Sequence, residues 1–530
     1  MHGADALFLV GAAAVVAGAA RRLGWSAPLL LVGVSLAASY LPGLPDYGLD
    51  PWTVLHLIVP PLLFAAAWDS SVPSLRQNLR PIGLLSIGLV LFTTVVVGEV
   101  TLSVVPGMSL PAALAFGAIV APPDSVVAMS IGRSAGLPRR LMTILAGESL
   151  VNDAMALSTY RMALAGDTTG KFSWLAGIGQ FTLTVVGSTA IGCVLALGGG
   201  LLLRWLTDAV LENTAILAIP FAGYAIAGQV NMSGELAIVV AGLILGHRSP
   251  VLQTYASRLQ GVMIWRMVGF LLEAVVFALI GLQLPAVLAA LSGHSVAGLA
   301  ATTAAVLAAV IGSRFIWIYP ATYLPRLLSR RIRRRDPAPS WRYPLVLSWT
   351  GMRGVVSLAA AFALPPALPY RDLILFLTFA VVIGTLVVQG LTLPALIRWS
   401  GVQRRSQLAD TVAEAAAQHT AARAGLERLE QLLAKGGPVP DDVVQRLRER
   451  AQSRQHTAWE RIGGERRRSE TMAARWLETP ASAHTRLLRE VMRAERAAFV
   501  GLRNQGRITD EALRQVLHEL DLEEATLARD

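Results

Sequence analysis

Residues 141–160 read LMTILAGESLVNDAMALSTY. The run is long enough, and apolar enough on most positions, to cross about 30 Å of hydrocarbon as a helix. Yet it holds two carboxylates, Glu148 and Asp153, with the amide of Asn152 beside them. Charged groups in hydrocarbon cost several kcal/mol, and where they occur they face a bundle interior or a water-filled cavity. The stretch therefore predicts a polar site inside a membrane protein. At about 100° per residue, Glu148 and Asn152 share one face while Ser149 and Asp153 share another, about 100° away. The two acids are thus free to do different jobs, one facing a protein partner and the other a wet cavity.

Working outward, the rest of the chain supports a membrane reading. Of its 530 residues 54% are hydrophobic and only 15% charged, more apolar sequence than a soluble domain needs. Thirteen spans are predicted: 4–20, 25–41, 52–67, 81–103, 110–132, 140–163, 175–204, 212–229, 233–247, 264–285, 296–324, 343–364 and 372–396. The start lacks a basic segment before its apolar stretch, and Arg21 and Arg22 follow it, so a retained first helix is expected over a cleaved leader. The single cysteine, Cys193, leaves neither a disulfide nor a thiolate metal site available.

The formal charge of +11 lies entirely in the membrane part. Residues 1–405 carry 26 Lys and Arg against 15 Asp and Glu, whereas residues 406–530 carry 20 of each. Basic residues occupy every second connection, from Arg21/Arg22 through RLLSRRIRRR (326–335) to Arg398, Arg404 and Arg405. Lys171 and Arg371 are the main exceptions on the other side. By the positive-inside rule the basic loops are cytoplasmic, the N-terminus is outside and the C-terminus inside. The same rule explains the basic run without nucleic acid, which is not expected as a partner. After about residue 400 the composition changes to helical pieces of mixed charge with no span-length run. Two domains are expected, 1–400 in the membrane and 401–530 as a cytoplasmic helical regulatory or assembly domain, with Thr509 as a helix cap near its end.

The fifth span, LAFGAIVAPPDSVVAMSIG (114–132), places Pro122 and Pro123 immediately before Asp124. Two prolines remove two backbone donors and clash with the preceding turn, so the helix should break there. Asp124 then either caps the second half-helix or helps to form an ion site, since half-helix ends and freed carbonyls are how many transporters bind ions near the midplane. The twelfth span, SWTGMRGVVSLAAAFALP, is interrupted by Gly351 and Gly354 around Arg353. The two interruptions lie seven spans apart, hence in opposite directions, the pattern of an inverted-topology repeat whose broken helices meet at the site. Arg314 and Arg353 are candidate partners for the acids; an acid paired with Arg stays charged and structural, whereas an unpaired one in a wet cavity is available to titrate. The fold class is therefore an all-α polytopic membrane protein of about 13 transmembrane helices, with inverted-topology repeats, two broken helices and a cytoplasmic helical tail.

The segments GAIVAPPDSVVA, GESLVNDAMALSTYR, FLLEAVVFALIGLQLP and WTGMRGVVSLAAAFALP resemble, in order over roughly residues 5–400, the signatures of bacterial Na+/H+ antiporters of the monovalent cation:proton antiporter family. The likeness is to the NhaP-like branch, which is related to animal Na+/H+ exchangers, and ELDLEEATLA in the tail is similar to the tail of a bacterial subgroup. The resemblance implies a multi-pass protein of the inner (plasma) membrane that works as a homodimer among membrane lipids. It implies pH homeostasis through sodium transport: exchange of Na+ for H+ by alternating access, with no cofactor and no enzymatic activity. By motif match Asp153 would bind either cation or proton. Asp124, Ser149, Asn152 and Pro123 would form or support the site, Na+ being held through Asp153, Asp124 and Ser149. Glu148 would pair with Arg314, and Arg353, Gly351 and Gly354 would mark the second break. Many relatives have Thr-Asp-Pro where this chain has Pro123-Asp124-Ser125, so a threonine hydroxyl is absent. Asn152 stands where electrogenic relatives have a second aspartate, which implies one titrating carboxylate and electroneutral exchange. A K+/H+ antiporter on the same scaffold is the alternative, followed by a cation channel or a sensor. No metal-ligand cluster, phosphate loop or Ser/His/Asp constellation in the spans supports an enzyme, and His56 alone reads as a packed side chain.

Overall fold

The computed structural model describes residues 3–23, 26–41, 51–169, 174–291, 295–365 and 367–402, and in the tail mainly 423–434 and 442–449, with scattered residues elsewhere. The chain divides into two compact units, residues 1–403 and 404–530. Secondary structure among the described residues is helical throughout. In the second unit the helices at 423–434 and 442–449 carry i,i+4 pairs on exposed faces, Arg423–Glu427 and Asp442–Arg446. The expected cap at Thr509 lies outside the described residues.

Helices are numbered here by predicted span: α1 (Gly3–Leu23), α2 (Ala27–Ala38), α3 (Val54–Trp68), α4 (Leu79–Val104), α5a (Leu110–Val120) and α5b (Ser125–Ala135), α6 (Arg139–Thr169), α7 (Trp174–Trp205), α8 (Ala209–Gln229), α9 (Gly234–Leu252), α10 (Tyr255–Ala290), α11 (Val296–Leu328), α12a (Arg342–Trp349) and α12b (Val355–Phe362), and α13 (Arg371–Ser400). Seven described helices, α4, α7, α8, α9, α10, α11 and α13, contain stretches long and apolar enough to cross a membrane unaided. Of the other predicted spans, α2 and α3 are shorter, α5 and α12 are broken, and α6 carries Glu148, Asn152 and Asp153.

Local chemistry sets the helix starts. Ser109, Asp208, Ser233, Thr254 and Ser295 each accept a first-turn amide through the side chain, at α5a, α8, α9, α10 and α11 in turn. Such caps satisfy amides that would otherwise be left over at a helix end. The breaks fall where sequence places them: α5a stops before Pro122-Pro123, and α12a stops before Gly351.

The helices sort into two packing groups. In one, α2 lies on α10, and α9 packs on α3, α7 and α8. In the other, α4 packs on α5a and α11, α6 packs on α5a, and α12 and α13 complete the layer. Contact between the groups runs chiefly through α6 on α9 and α10 on α13. Close approach rather than hydrophobicity holds helices together in lipid. Gly117 of α5a shows the requirement, because a Cβ there would overlap the Thr94 carbonyl of α4. The order long helix, broken helix, helix occurs twice in the second group, as α4–α5–α6 and α11–α12–α13. The two broken helices are thereby brought face to face.

Candidate functional site

Between the half-helices the backbones meet directly. The Asp124 amide donates to the Met352 carbonyl at 2.6 Å. The Asp124 carboxylate lies against Gly354, the residue that precedes α12b, and any Cβ on Gly354 would collide with Oδ2. The acid thus sits at the positive N-terminal end of the opposite half-helix. At the negative ends the compensation is cationic. Arg353 is fully buried and spends its guanidinium on carbonyls, Nε to Val120 at 2.7 Å, Nη2 to Ala121 at 3.2 Å and Nη1 to Gly351. Its own amide donates to Thr385 Oγ1 at 3.0 Å. Of the two pairings the sequence offered for Arg353, neither acid is taken; the arginine neutralises broken-helix termini instead.

Arg314 takes the other task. It forms a two-pronged pair with Glu148, 2.6 and 3.3 Å long, and donates to the Leu347 carbonyl of α12a at 3.1 Å. Both side chains are buried, at 0% and 2% exposure, so the charges compensate each other in place of water. One helical turn on, Asn152 donates through Nδ2 to the Pro123 carbonyl at 3.1 Å, tying α6 to the break in α5. Its Oδ1 is buried and has no partner among the described residues.

Asp153 is different. It is 8% exposed, and no hydrogen bond or ion pair to its carboxylate occurs among the described residues. Ser149, half-buried, lies one turn away on the same face. The two arginines of the region are already committed, Arg314 to Glu148 and Arg353 to carbonyls. What remains is a buried acid without a fixed counter-charge, beside an orphan amide oxygen and the crossing of two broken helices. That arrangement suits a small exchangeable cation, including a proton.

A profile of the transmembrane sodium/hydrogen exchanger family matches residues 7–399. The chain belongs to the sodium/hydrogen exchanger family. An uncharacterized Na(+)/H(+) exchanger of Mycobacterium tuberculosis (strain ATCC 25618 / H37Rv) is 32% identical, with 97% of this chain and 94% of that one aligned. The Na(+)/H(+) antiporter NhaP of Pseudomonas aeruginosa is 34% identical over 64% of this chain and 79% of its own. Among solved structures, the sodium proton antiporter MjNhaP1 from Methanocaldococcus jannaschii shares the fold, with a TM-score of 0.57 and 16% identity over 76% of this chain and 98% of that one. The exchanger is accordingly a polytopic membrane transporter and not an enzyme, and cation/proton antiport is its activity.

The structure brings together every residue picked out in the sequence: Asp124, Pro123, Glu148, Asn152, Asp153, Arg314, Gly351, Arg353 and Gly354, with Ser149 one turn away. Sequence reading missed Thr385, whose hydroxyl fixes the second break, because a threonine in an apolar span carries no signal of its own. It also missed the Met352 carbonyl, a backbone group that no side-chain pattern reports. No group of three metal-ligating side chains occurs among the described residues.

Proposed function

We propose that the exchanger carries Na+ inward or outward against H+ across the plasma membrane, with the two ions competing for Asp153. The observation that carries this reading is the buried Asp153 carboxylate, left without a protein counter-charge while both neighbouring arginines are engaged elsewhere. A carboxylate so placed must be neutralised by something mobile. The Asp124 carboxylate, Ser149, the Asn152 Oδ1 and the helix-break carbonyls would complete the cation's oxygen shell, with Pro123 fixing the break. Glu148 and Arg314 form a structural pair, and Arg353, Gly351 and Gly354 hold the crossing. Since Asn152 does not titrate, one proton exchanges for one cation, and transport is electroneutral.

In the proposed cycle access alternates as the group holding the site moves against the group built on α1–α3 and α7–α10, a division that the helix packing supports. The charge pattern of the loops supports an external N-terminus and a cytoplasmic C-terminus. A homodimer through the non-site group, and a regulatory or assembly role for residues 401–530, complete the reading. The test is Asp153→Asn in everted vesicles, with a pH-sensitive dye reporting proton release on adding Na+. Loss of exchange with normal membrane insertion is the expected result; near-normal exchange by a well-expressed variant sinks the assignment.

A further inference from the structure

Within α13 the turn Leu386–Gly390 is π-helical, a widening found mostly at functional sites. Gln389 in that turn is 0% exposed, and neither its Oε1 nor its Nε2 has a hydrogen-bond partner among the described residues. An amide buried in this way gives up its hydrogen bonds to water and gains none in return. Leucine or methionine would fill the same volume without that loss. Packing alone therefore gives no reason for a glutamine.

Neighbouring contacts fix where the amide lies. One turn before it, Thr385 Oγ1 accepts the Arg353 amide at 3.0 Å; one turn after it, Thr392 Oγ1 accepts the Trp349 indole N–H at 2.8 Å. Arg353 and Trp349 bracket the unwound middle of α12, which runs between Trp349 and Val355. Residues 385, 389 and 392 share one face by their spacing, so Gln389 lies against the same unwound segment. A Cβ on the adjacent Gly390 would stand 3.4 Å from Met352 Sδ, and the Met352 carbonyl holds the Asp124 amide. Half-helix α5b, which begins directly after Asp124, packs on this turn as well.

The amide is on the basic-loop half of the crossing. It stands 11 residues before Ser400, the end of α13, and 18 after Arg371, its start, which puts it about 16 Å from the basic-loop end. Thr385 and Gln389 are fully buried whereas Thr392 is exposed, so burial along the stripe ends within one turn of the amide on that side. Ser348, in the last turn of α12a on the same half, is also 0% exposed, and its Oγ has no partner among the described residues.

We infer that Gln389 is a positioning residue for transport: its amide, with the Ser348 hydroxyl, forms the polar wall of the cytoplasmic passage to the helix crossing and binds water there when the passage opens. This rests on the crossing being the transport site, and the loop charges place its basic side in the cytoplasm. Water is the ligand that satisfies both ends of the amide, since it donates to Oε1 and accepts from Nε2; a bare cation would satisfy the oxygen alone. With the stripe closed the amide is unpaired, and with it open both ends are hydrated. Gln389 thereby favours opening toward the cytoplasm through its different hydration in the two states.

The test uses full-length protein in which Cys193→Ala removes the single native thiol. Gln389→Cys in that background is treated with a membrane-impermeant, positively charged methanethiosulfonate in everted and in right-side-out vesicles. Reaction in everted vesicles, where the cytoplasmic face is outward, and none in right-side-out vesicles is the expected result. Gln389→Leu should melt no lower than wild type in detergent and turn over about tenfold more slowly, the worth of one unpaired buried group. Gln389→Asn, which keeps the amide, should recover most of the turnover. If Gln389→Cys fails to accumulate, the Leu and Asn variants decide the matter. Reaction from the external face, no reaction from either face, a Gln389→Leu protein of wild-type turnover, or one of lowered melting temperature would overturn the proposal. Asp153→Asn run in parallel keeps the two readings apart. Continued exchange by that variant removes the site assignment, whereas an unreactive Gln389→Cys beside an inactive Asp153→Asn removes only the role given to Gln389.

Discussion

Glu148 and Asp153 sit five residues apart on one helix, and their surroundings give them opposite roles. Glu148 faces Arg314 at 2.6 Å with both side chains buried; no Lys, Arg or His pairs with Asp153 among the described residues. Removing one member of a buried pair leaves the other's charge uncompensated, at a cost of about 3–5 kcal/mol. Glu148→Gln is therefore expected to lower thermal stability in detergent strongly and to reduce the amount of folded protein before it alters Na+ affinity. An unchanged melting temperature with a shifted affinity would make Glu148 a ligand. The pairing of Glu148 with Arg314 was legible from the motif. That Arg353 serves carbonyls rather than an acid was not, because helix-end carbonyls become acceptors only when another segment's arginine is folded against them.

At the scale of elements, two devices hold the site-bearing helices. The first is the crossing itself. Gly354 leaves room for the Asp124 carboxylate, and Gly354→Ala would push that acid away. A displacement of about 1 Å at a reacting centre costs on the order of 100-fold in rate, so the variant should insert normally and lose transport by about that factor; wild-type turnover would show that the crossing tolerates the shift.

The second device lies at the basic-loop side. Asp336 receives Arg80 from the start of α4 at 2.9 Å, Arg140 from the start of α6 at 2.8 Å and Arg326 from the end of α11 at 2.6 Å. Partial burial works against ionisation of Asp336, but the Arg140 hydrogen bond and the charges of Arg140, Arg326 and Arg80 outweigh it and hold the carboxyl below its ordinary value. A folded-state value below the unfolded one adds stability at pH above the unfolded value, about 3.9, and that stability disappears as pH falls through the folded value. With solvent screening the cluster contributes roughly 1–2 kcal/mol. Asp336→Asn should therefore melt a few degrees below wild type by a constant margin from pH 8 to pH 5, and the margin should close below about pH 4. A margin that widens in acid contradicts this account.

For the whole molecule, the decisive quantity is the charge moved per cycle. If one Na+ exchanges for one proton at Asp153 and the empty site does not cross, an imposed membrane potential leaves the rate unchanged. Proteoliposomes with and without a valinomycin-set potential, with Na+ as substrate, measure this directly. Strong acceleration by voltage would require a second proton and end the single-carboxylate reading of Asn152-Asp153. Under the same proposal, competition for one site would also set the response to pH. Lower pH raises the apparent KM for Na+, and high pH starves the return step of protons, giving a bell-shaped profile at limiting Na+.

The sequence by itself determined which residues interrupt which helices. Prolines at 122 and 123 and glycines at 351 and 354 break helices through local backbone chemistry, and acids inside an apolar run announce a polar site because lipid offers them no other tolerable place. It also determined the helical class, through runs whose length matches the bilayer. Only the tertiary structure decided how the charges are spent: Glu148 on Arg314, Arg353 on the carbonyls of Val120, Ala121 and Gly351, Asp336 on three arginines from three helices, and Asp153 on none of them. Gln389 shows the boundary between the two. In GTLVVQGLTLP a lone glutamine in an apolar span carries no signal of its own, and its burial against the break in α12 exists only once α12 and α13 are packed. Backbone breaks are written in neighbouring residues, whereas the partner of a charge lies tens or hundreds of residues away and is chosen by which helices the fold brings together.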